Sequence, residues 1–318
     1  MENINEPETL RKEASAALDE IARYYVGNRD NISKILASII SSGHVLLMDY
    51  PGIGKTFIVK LFSRVLGIDS RRIQFTPDLL PSDIIGTKVW RPDSSNFQVV
   101  KGPVFSNLIL ADEINRAPPK TQAALLEAME EKQVTIEGET VRLSSPFIVL
   151  ATENPVELEG TYPLPEAQLD RFMIEITLGY PDDDSEVLNR RISWKTDDPS
   201  SGAETLLNAE RLIEIQKFIE ASVSVSPEIV KYISEFSQCR KDPRVLAGPS
   251  PRGLISLMRI SRAIAFLENR TYVIPDDVKK IAQEVLGHRI VLRPELSLED
   301  ISGKDIIREY LAKIQVPK

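Results

Sequence analysis

The 318-residue sequence is poor in cysteine, histidine and aromatic side chains: it has one cysteine, two histidines and two tryptophans, and aromatics are 6% of the chain. One cysteine, Cys239, excludes an internal disulfide and a cysteine-rich metal cluster, so a reducing compartment suits the chain. Cys239 itself reads as a small buried residue. With few aromatics, aliphatic side chains must do most of the packing. No apolar run approaches the roughly 20 residues needed to span a bilayer. The opening Met1-Glu2-Asn3-Ile4-Asn5-Glu6 has neither the basic nor the apolar region of a secretion signal. The expectation is a soluble cytoplasmic protein with no membrane contact. An excess of positive charge is also missing. The net charge is −8 and the pI about 5.1, so a uniform basic footprint for nucleic acid is absent, and only a local patch stays open. No internal repeat and no low-complexity tract is present.

What is there is an alternation of short apolar runs and helical patterns. Helices are expected over Glu8 to Tyr25, with Leu10, Ala14, Leu18 and Ile21 on one face, and over Arg29 to Ser42. His44 to Met48, Leu108 to Ala111 and Phe147 to Thr152 read as buried parallel strands, and Lys55 to Leu66 as a helix after the first. Strands alternating with helices imply a parallel, doubly wound sheet. Two hairpins interrupt it. Gly86 to Val100 sets Val89 and Trp90 against Phe97 and Val99 across a turn at Asp93 to Asn96. Gln133 to Leu143 turns at Glu137-Gly138-Glu139, where Gly138 suits a positive φ.

Composition changes near Pro181, and Lys195 to Gly202 has the Asp, Pro, Ser and Gly of a linker. Only helices are expected beyond it. They start at Ser226-Pro227, with Ser as N-cap and Pro at the first position, at Ser250-Pro251 and at Ile274-Pro275. The expected division is a nucleotide-binding α/β core over 1–185, a linker over 186–205 and a helical lid over 206–318.

Three strand ends carry chemistry. His44 to Met48 runs into Asp49-Tyr50-Pro51-Gly52-Ile53-Gly54-Lys55-Thr56-Phe57, and a helix follows at once. A glycine-bearing turn between strand and helix aims backbone N–H groups at one point, where the helix dipole favours an anion. Lys55 can reach β- and γ-phosphates, and the Thr56 hydroxyl can hold Mg²⁺. The candidate phosphate contacts are Pro51, Gly52, Ile53, Gly54, Lys55, Thr56 and Phe57. The strict pattern has glycine where Asp49 stands. Its carboxylate would repel a triphosphate, so the side chain is expected to turn toward a basic group or a backbone N–H. Leu108-Ile109-Leu110-Ala111 ends in Asp112 and Glu113. Asp112 suits a magnesium ligand and Glu113 a general base for water. Ala151-Thr152-Glu153-Asn154-Pro155 ends the third strand, where Asn154 can orient that water. His44, His288 and the acidic run Asp182 to Asp184 read as packing or capping groups. Trp90 reads equally as a channel contact or a cross-strand partner.

The stretch from Asp112 to Tyr180 contains Asp-Glu-Ile-Asn-Arg-Ala-Pro-Pro-Lys-Thr-Gln, Leu-Leu-Glu-Ala-Met-Glu-Glu, Ala-Thr-Glu-Asn-Pro and Glu-Gly-Thr-Tyr-Pro-Leu-Pro-Glu-Ala-Gln-Leu-Asp-Arg-Phe. With Gln74-Phe75-Thr76-Pro77-Asp78, it resembles the MoxR family of AAA+ ATPases. The resemblance is specific over about residues 44 to 180 and weaker over the helical part. It implies an AAA+ P-loop domain with a five-stranded parallel sheet and β-hairpin inserts, followed by an all-α lid. It implies ATP and Mg²⁺ as cofactors, and a hexameric ring whose channel faces the two hairpins. Asn154 would be the sensor-1 residue, Arg171 an arginine finger reaching a neighbour's γ-phosphate, and Arg252 the sensor-2 arginine, acting in cis or in trans. Val26 and Gly27 would pack on adenine.

The resemblance implies a chaperone-like remodeller of protein clients, in some cases beside a von Willebrand factor A domain protein. A nucleic-acid motor is the alternative; it would need basic hairpins, yet the second hairpin has Glu137 and Glu139 against one basic residue, Arg142. A nucleotide-binding switch without turnover is the third reading, and the intact Asp112-Glu113 pair argues against it.

Overall fold

The computed structural model describes residues 6–50, 52–93, 95–154, 160–181, 183–194, 198–296 and 301–317. The helix α1 (Glu6–Tyr24) buries Leu10, Ala14, Leu18 and Ile21 along one face. The helix α2 (Arg29–Ile40) starts at Asn28, whose side chain accepts from the Asp30 N–H. Then come β1 (Val45–Met48), α3 (Lys55–Leu66), β2 (Ser70–Gln74) and the short α4 (Pro81–Ile85). The first hairpin is β3 (Gly86–Arg91) with β4 (Asn96–Lys101). It precedes β5 (Leu108–Asp112) and α5 (Pro119–Glu131). The second hairpin, β6 (Gln133–Ile136) with β7 (Glu139–Arg142), leads to β8 (Ile148–Glu153), α6 (Glu166–Leu169), β9 (Ile174–Ile176) and α7 (Asp184–Trp194). The remainder holds α8 (Ala209–Ser222), α9 (Pro227–Glu235), β10 (Val245–Ala247), α10 (Pro251–Leu267), α11 (Pro275–Leu286), β11 (Val291–Leu292) and α12 (Gly303–Lys313).

Five strands form one parallel sheet in the order β2-β5-β8-β1-β9. Leu150 of β8 lies opposite Val45 of β1 on one side and Leu110 of β5 on the other. Side chains alternate across the sheet. Val45, Leu47, Leu108, Leu110, Ile148 and Leu150 join a core shared with α1, α2, α3 and the lid helices. Leu46, Ile109, Ala111, Val149 and Ala151 join a second core under α5 and both hairpins. Each fully buried aliphatic side chain is worth about 1.5–3 kcal/mol, so the lid is tied to the sheet by apolar burial.

Three details differ from the expected pattern. In the first hairpin Trp90 does face Phe97, with ring centroids 5.2 Å apart, but Val99 faces Lys88 and Val89 faces Gln98. The helical region contains an antiparallel ribbon, Val245 opposite Leu292, too short to leave a periodic signal. The stretch 186–205 is helical through Trp194, because that ring stacks on Tyr24 at 6.2 Å and leans on Phe57 at 6.1 Å. Asp183 caps this helix by accepting from the Ser185 N–H and hydroxyl; Asp182 lies outside the described residues. Cys239 is fully buried, which pushes its thiol up to about 11.

Two glycines with positive φ separate strain from packing. Gly67 ends α3 at φ 61°, and a Cβ there would stand 2.2 Å from the Leu207 carbonyl oxygen. Gly138 turns the second hairpin at φ 84°, with nothing within 4 Å of a Cβ. Gly138→Ala should cost only the left-handed strain, about 1 kcal/mol. Gly67→Ala must also displace the chain entering the lid, and should cost at least about 2 kcal/mol. Urea midpoints of the two variants give the comparison, and equal losses would refute the packing argument.

Candidate active site

Because β8 lies between β1 and β5, the three sequence-derived segments share the carboxyl edge of the sheet. The loop after β1 enters α3 through Gly52 at φ 86° and Gly54 at φ 81°, and a Cβ at either would meet nothing within 4 Å. Gly54 is the N-cap and supplies no side-chain cap to the α3 N–H groups, so these donors face an open cradle suited to an anion. Lys55 is buried, and its Nζ donates to the Asp49 carbonyl at 3.0 Å. Thr56 is half-buried, and Ile53 and Phe57 pack on the core. Pro51 lies outside the described residues. Asp49 turns away from the cradle: Oδ2 accepts from the Leu178 N–H at 2.8 Å and Oδ1 from the Gly179 N–H at 3.1 Å. Val26 and Gly27 line a neighbouring cleft of about 560 Å³, with Asn31, Leu178 and Tyr180 on its other walls.

At the end of β5, the buried Thr152 hydroxyl donates to Asp112 Oδ1 at 2.8 Å and accepts from the Glu113 N–H at 2.8 Å. This bridge steadies Glu113 in a left-handed conformation, φ 56°, which is strained for a residue with a side chain. Arg72 Nη2 lies 2.6 Å from Asp112 Oδ2, while Gln74 Nε2 and Arg116 Nη1 donate to Glu113 Oε2 at 3.1 and 3.0 Å. Arg72 is half exposed, so water screens its pairing with Asp112. Asn154 is buried just beyond β8, between the loop and the acids. Beside it, Glu153 Oε1 is buried without a partner. Burial, with the charge of Glu175 added, raises the Glu153 carboxyl to about 7.

Arg171 and Arg252 lie elsewhere. Met173 N–H donates to the His44 carbonyl just before β1, so the Arg171 segment is at the amino edge. A four-residue strand is roughly 13 Å long, beyond an arginine's reach to the loop at its far end. Arg171 Nε pairs with Glu130 Oε2 at 2.9 Å, and Arg252 Nη1 with Glu130 Oε1 at 3.0 Å. One carboxylate of α5 therefore holds both guanidinium groups. Behind them Asp170 accepts from the Ser250 hydroxyl, the N-cap of α10, and from Arg289 Nε at 2.6 Å. The Arg289 guanidinium is buried and also donates to the carbonyls of Asp170, Phe172 and Met173, clamping the backbone on both sides of Arg171.

The sequence profile of the ATPase family associated with various cellular activities (AAA) matches residues 44–174, and that of the AAA lid domain matches 238–310. The uncharacterized protein YeaC of Bacillus subtilis is 45% identical over 98% of this chain and 97% of its own. The chaperone MoxR1 of Mycobacterium tuberculosis is 40% identical over 95% of this chain and 82% of its own. The chain belongs to the MoxR family of AAA+ ATPases. The crystal structure of a candidate ATPase from Cytophaga hutchinsonii superposes with a TM-score of 0.88 at 43% identity, covering 98% of this chain and 97% of that one.

The chain thus carries an ATPase fold whose open glycine cradle and Lys55 fit a triphosphate. Among the described residues no group of three or more His, Cys, Asp or Glu could hold a metal by itself. Magnesium is commonly held by one or two protein ligands together with phosphate oxygens. Sequence reasoning missed Arg72, Gln74, Glu130, Thr152, Asp170 and Arg289 as site neighbours. Arg72 and Gln74 alternate on one face of β2, a signal that becomes readable only once β2 is known to flank β5. The histidines are structural: His44 Nδ1 accepts from the Val149 N–H at 3.0 Å and burial lowers its pKa to about 4, and His288 meets the carbonyls of Glu284 and Phe172. Among the described residues no helix is long and apolar enough to cross a membrane.

Glu153 makes stability depend on pH. Folded, it keeps its proton up to about pH 7; unfolded, it releases it near the ordinary value of 4.5. Between these the folded state binds more protons, so stability falls as pH rises through this window. Glu153→Gln should therefore gain little at pH 4 and at most about 3 kcal/mol at pH 8. Thermal melts of both proteins across this range read the effect, and a pH-independent difference would refute it.

Proposed function

We propose that the chain is a magnesium-dependent ATPase working as a subunit of a six-membered ring, as its family resemblance implies, that remodels protein clients. The observation that carries the ATPase reading is the shared strand edge of Lys55, Thr56, Asp112, Glu113 and Asn154. In this reading Lys55 and the α3 N–H groups bind the phosphates, Asn154 orients the attacking water and Glu113 takes its proton. Thr56 and Asp112 would hold magnesium, which supplies charge neutralisation on the β- and γ-phosphate oxygens. Val26 and Gly27 take the adenine, residues 1–185 act as the nucleotide-binding unit and 206–318 as the lid.

The ring reading rests on the amino-edge pair. Arg171 lies a strand's length from its own phosphate loop, and Arg252 shares Glu130 with it; in this reading both serve a neighbour's nucleotide, Arg252 acting in trans. Arginines donated across an interface are worth about 10³–10⁵ in rate in other NTPases. The client surface in this reading is the first hairpin, where Trp90 and Phe97 are 49% and 59% exposed. A protein client, with a von Willebrand factor A domain protein among the candidate partners, suits that apolar pair. The nucleic-acid alternative has less support: Lys88 of the same hairpin is paired with Glu139 at 3.2 Å, and the chain is acidic.

Three measurements test this. Lys55→Ala should lose ATP binding, whereas Glu113→Gln should keep binding and lose turnover, since an amide accepts no proton; hydrolysis by Glu113→Gln at the parent rate would remove Glu113 as the base. Turnover per subunit should rise with protein concentration. Mixing inactive Arg171→Ala with inactive Lys55→Ala subunits should restore activity at those interfaces where an intact loop meets an intact arginine. No recovery in assemblies shown to exchange subunits would contradict the trans role.

A further inference from the structure

Asp49 stands where the phosphate-loop pattern has glycine, and its side chain is only 1% exposed. Both oxygens are used, on the Leu178 and Gly179 N–H groups. These amides belong to the chain leaving β9, and Leu178, Tyr180 and Pro181 of that segment wall the cleft opposite Val26 and Gly27. Asn31 holds the segment from the α2 side, its Nδ2 donating to the carbonyls of Thr177 and Leu178 at 3.3 and 3.2 Å. The next loop residue repeats the link: the Tyr50 ring stacks on Tyr180, with centroids 5.9 Å apart and planes at 16°. Tyr25, beside Gly27, is close enough that the Asp49 charge, after burial, raises its phenol above the usual range.

Two consecutive residues of the phosphate loop thus grip the far wall of the cleft. Hydrogen bonds to a carboxylate are roughly twice as strong as neutral ones, and glycine at position 49 would leave two amides without their acceptors. We propose that Asp49 is a positioning residue for the nucleobase: it fixes the 178–181 wall to the phosphate loop, so that base and triphosphate are gripped by one rigid unit. The proposal rests on the nucleotide-site reading and adds to it a coupling between the two halves of that site. A ligand filling both loop and cleft should feel the loss of Asp49. A ligand filling the loop alone should not.

The test is titration of the full chain with ATP and with inorganic tripolyphosphate, which has no base. Asp49→Gly should weaken ATP about threefold to tenfold and raise KM more than it changes kcat, with tripolyphosphate affinity within about twofold of the parent. Asp49→Asn, which keeps one acceptor oxygen, should fall between the two. Tyr180→Ala, at an exposed position that leaves the core untouched, should weaken ATP by a similar factor. The double variant should lose less than the product of the single losses, because both remove one coupling. Equal weakening of ATP and tripolyphosphate would overturn the proposal, and so would unchanged ATP affinity, a gain of about a hundredfold in Asp49→Gly, or fully multiplicative losses. Lys55→Ala is the separate control: it should lose both ligands, and if it binds both normally the nucleotide-site reading fails whatever Asp49 does.

Discussion

The parallel insertion of β8 between β1 and β5 is the constraint on which the rest of the molecule depends. A parallel neighbour cannot be reached by a hairpin, so the chain must return across the sheet between successive strands. All five strands therefore start at one edge and end at the other. The carboxyl edge collects the loop at Lys55, the acids at Asp112 and Glu113, and the amide at Asn154. The Thr152 hydroxyl works only because β8 is adjacent to β5, where it bonds Asp112 and the Glu113 N–H together. A different strand order would keep every motif and lose the site.

The amino edge is organised by charge. Glu130 holds Arg171 and Arg252, which would otherwise repel each other, and Asp170 joins the N-cap of α10 to the buried Arg289. Breaking the Asp170–Arg289 pair should cost about 3–5 kcal/mol, because the buried guanidinium would stay uncompensated, whereas water screens the Glu130 pairs. The lid is thus attached twice, by the continuous apolar core and by this network. The two arginines are presented from different parts of the chain on one surface by a single carboxylate.

Much of this was legible locally. The bounds of α3, the N-caps Ser226 and Ser250, the tight turn at Gly138 and the buried strands follow from side-chain periodicity, capping and φ preferences, which operate within about ten residues. Alternating strands and helices also gave the parallel sheet and the helical region beyond it, and the family resemblance added the five-stranded AAA+ form of that sheet. The misreadings have the same physical origin. Val99 faces Lys88 and not Val89, because hairpin register is set by the turn, and alternating apolar residues do not say which turn forms. The stretch after Asp184 has linker-like composition near its end, yet Trp194 finds Tyr24 and Phe57 and keeps it helical.

The sequence by itself determined which residue types could bind phosphate, hold a metal or move a proton, because each needs a particular group next to a turn or a strand end. It also implied that, beside any bound triphosphate, the Asp49 carboxylate would have to point away, since like charges at close range repel strongly. Only the tertiary structure decided where Asp49 went, to amides 129 and 130 residues further along the chain. The same holds for the meeting of Arg171 and Arg252 on Glu130, 122 residues before Arg252. Contacts over such separations are chosen by how strands and helices stack, and no local preference of the backbone encodes them.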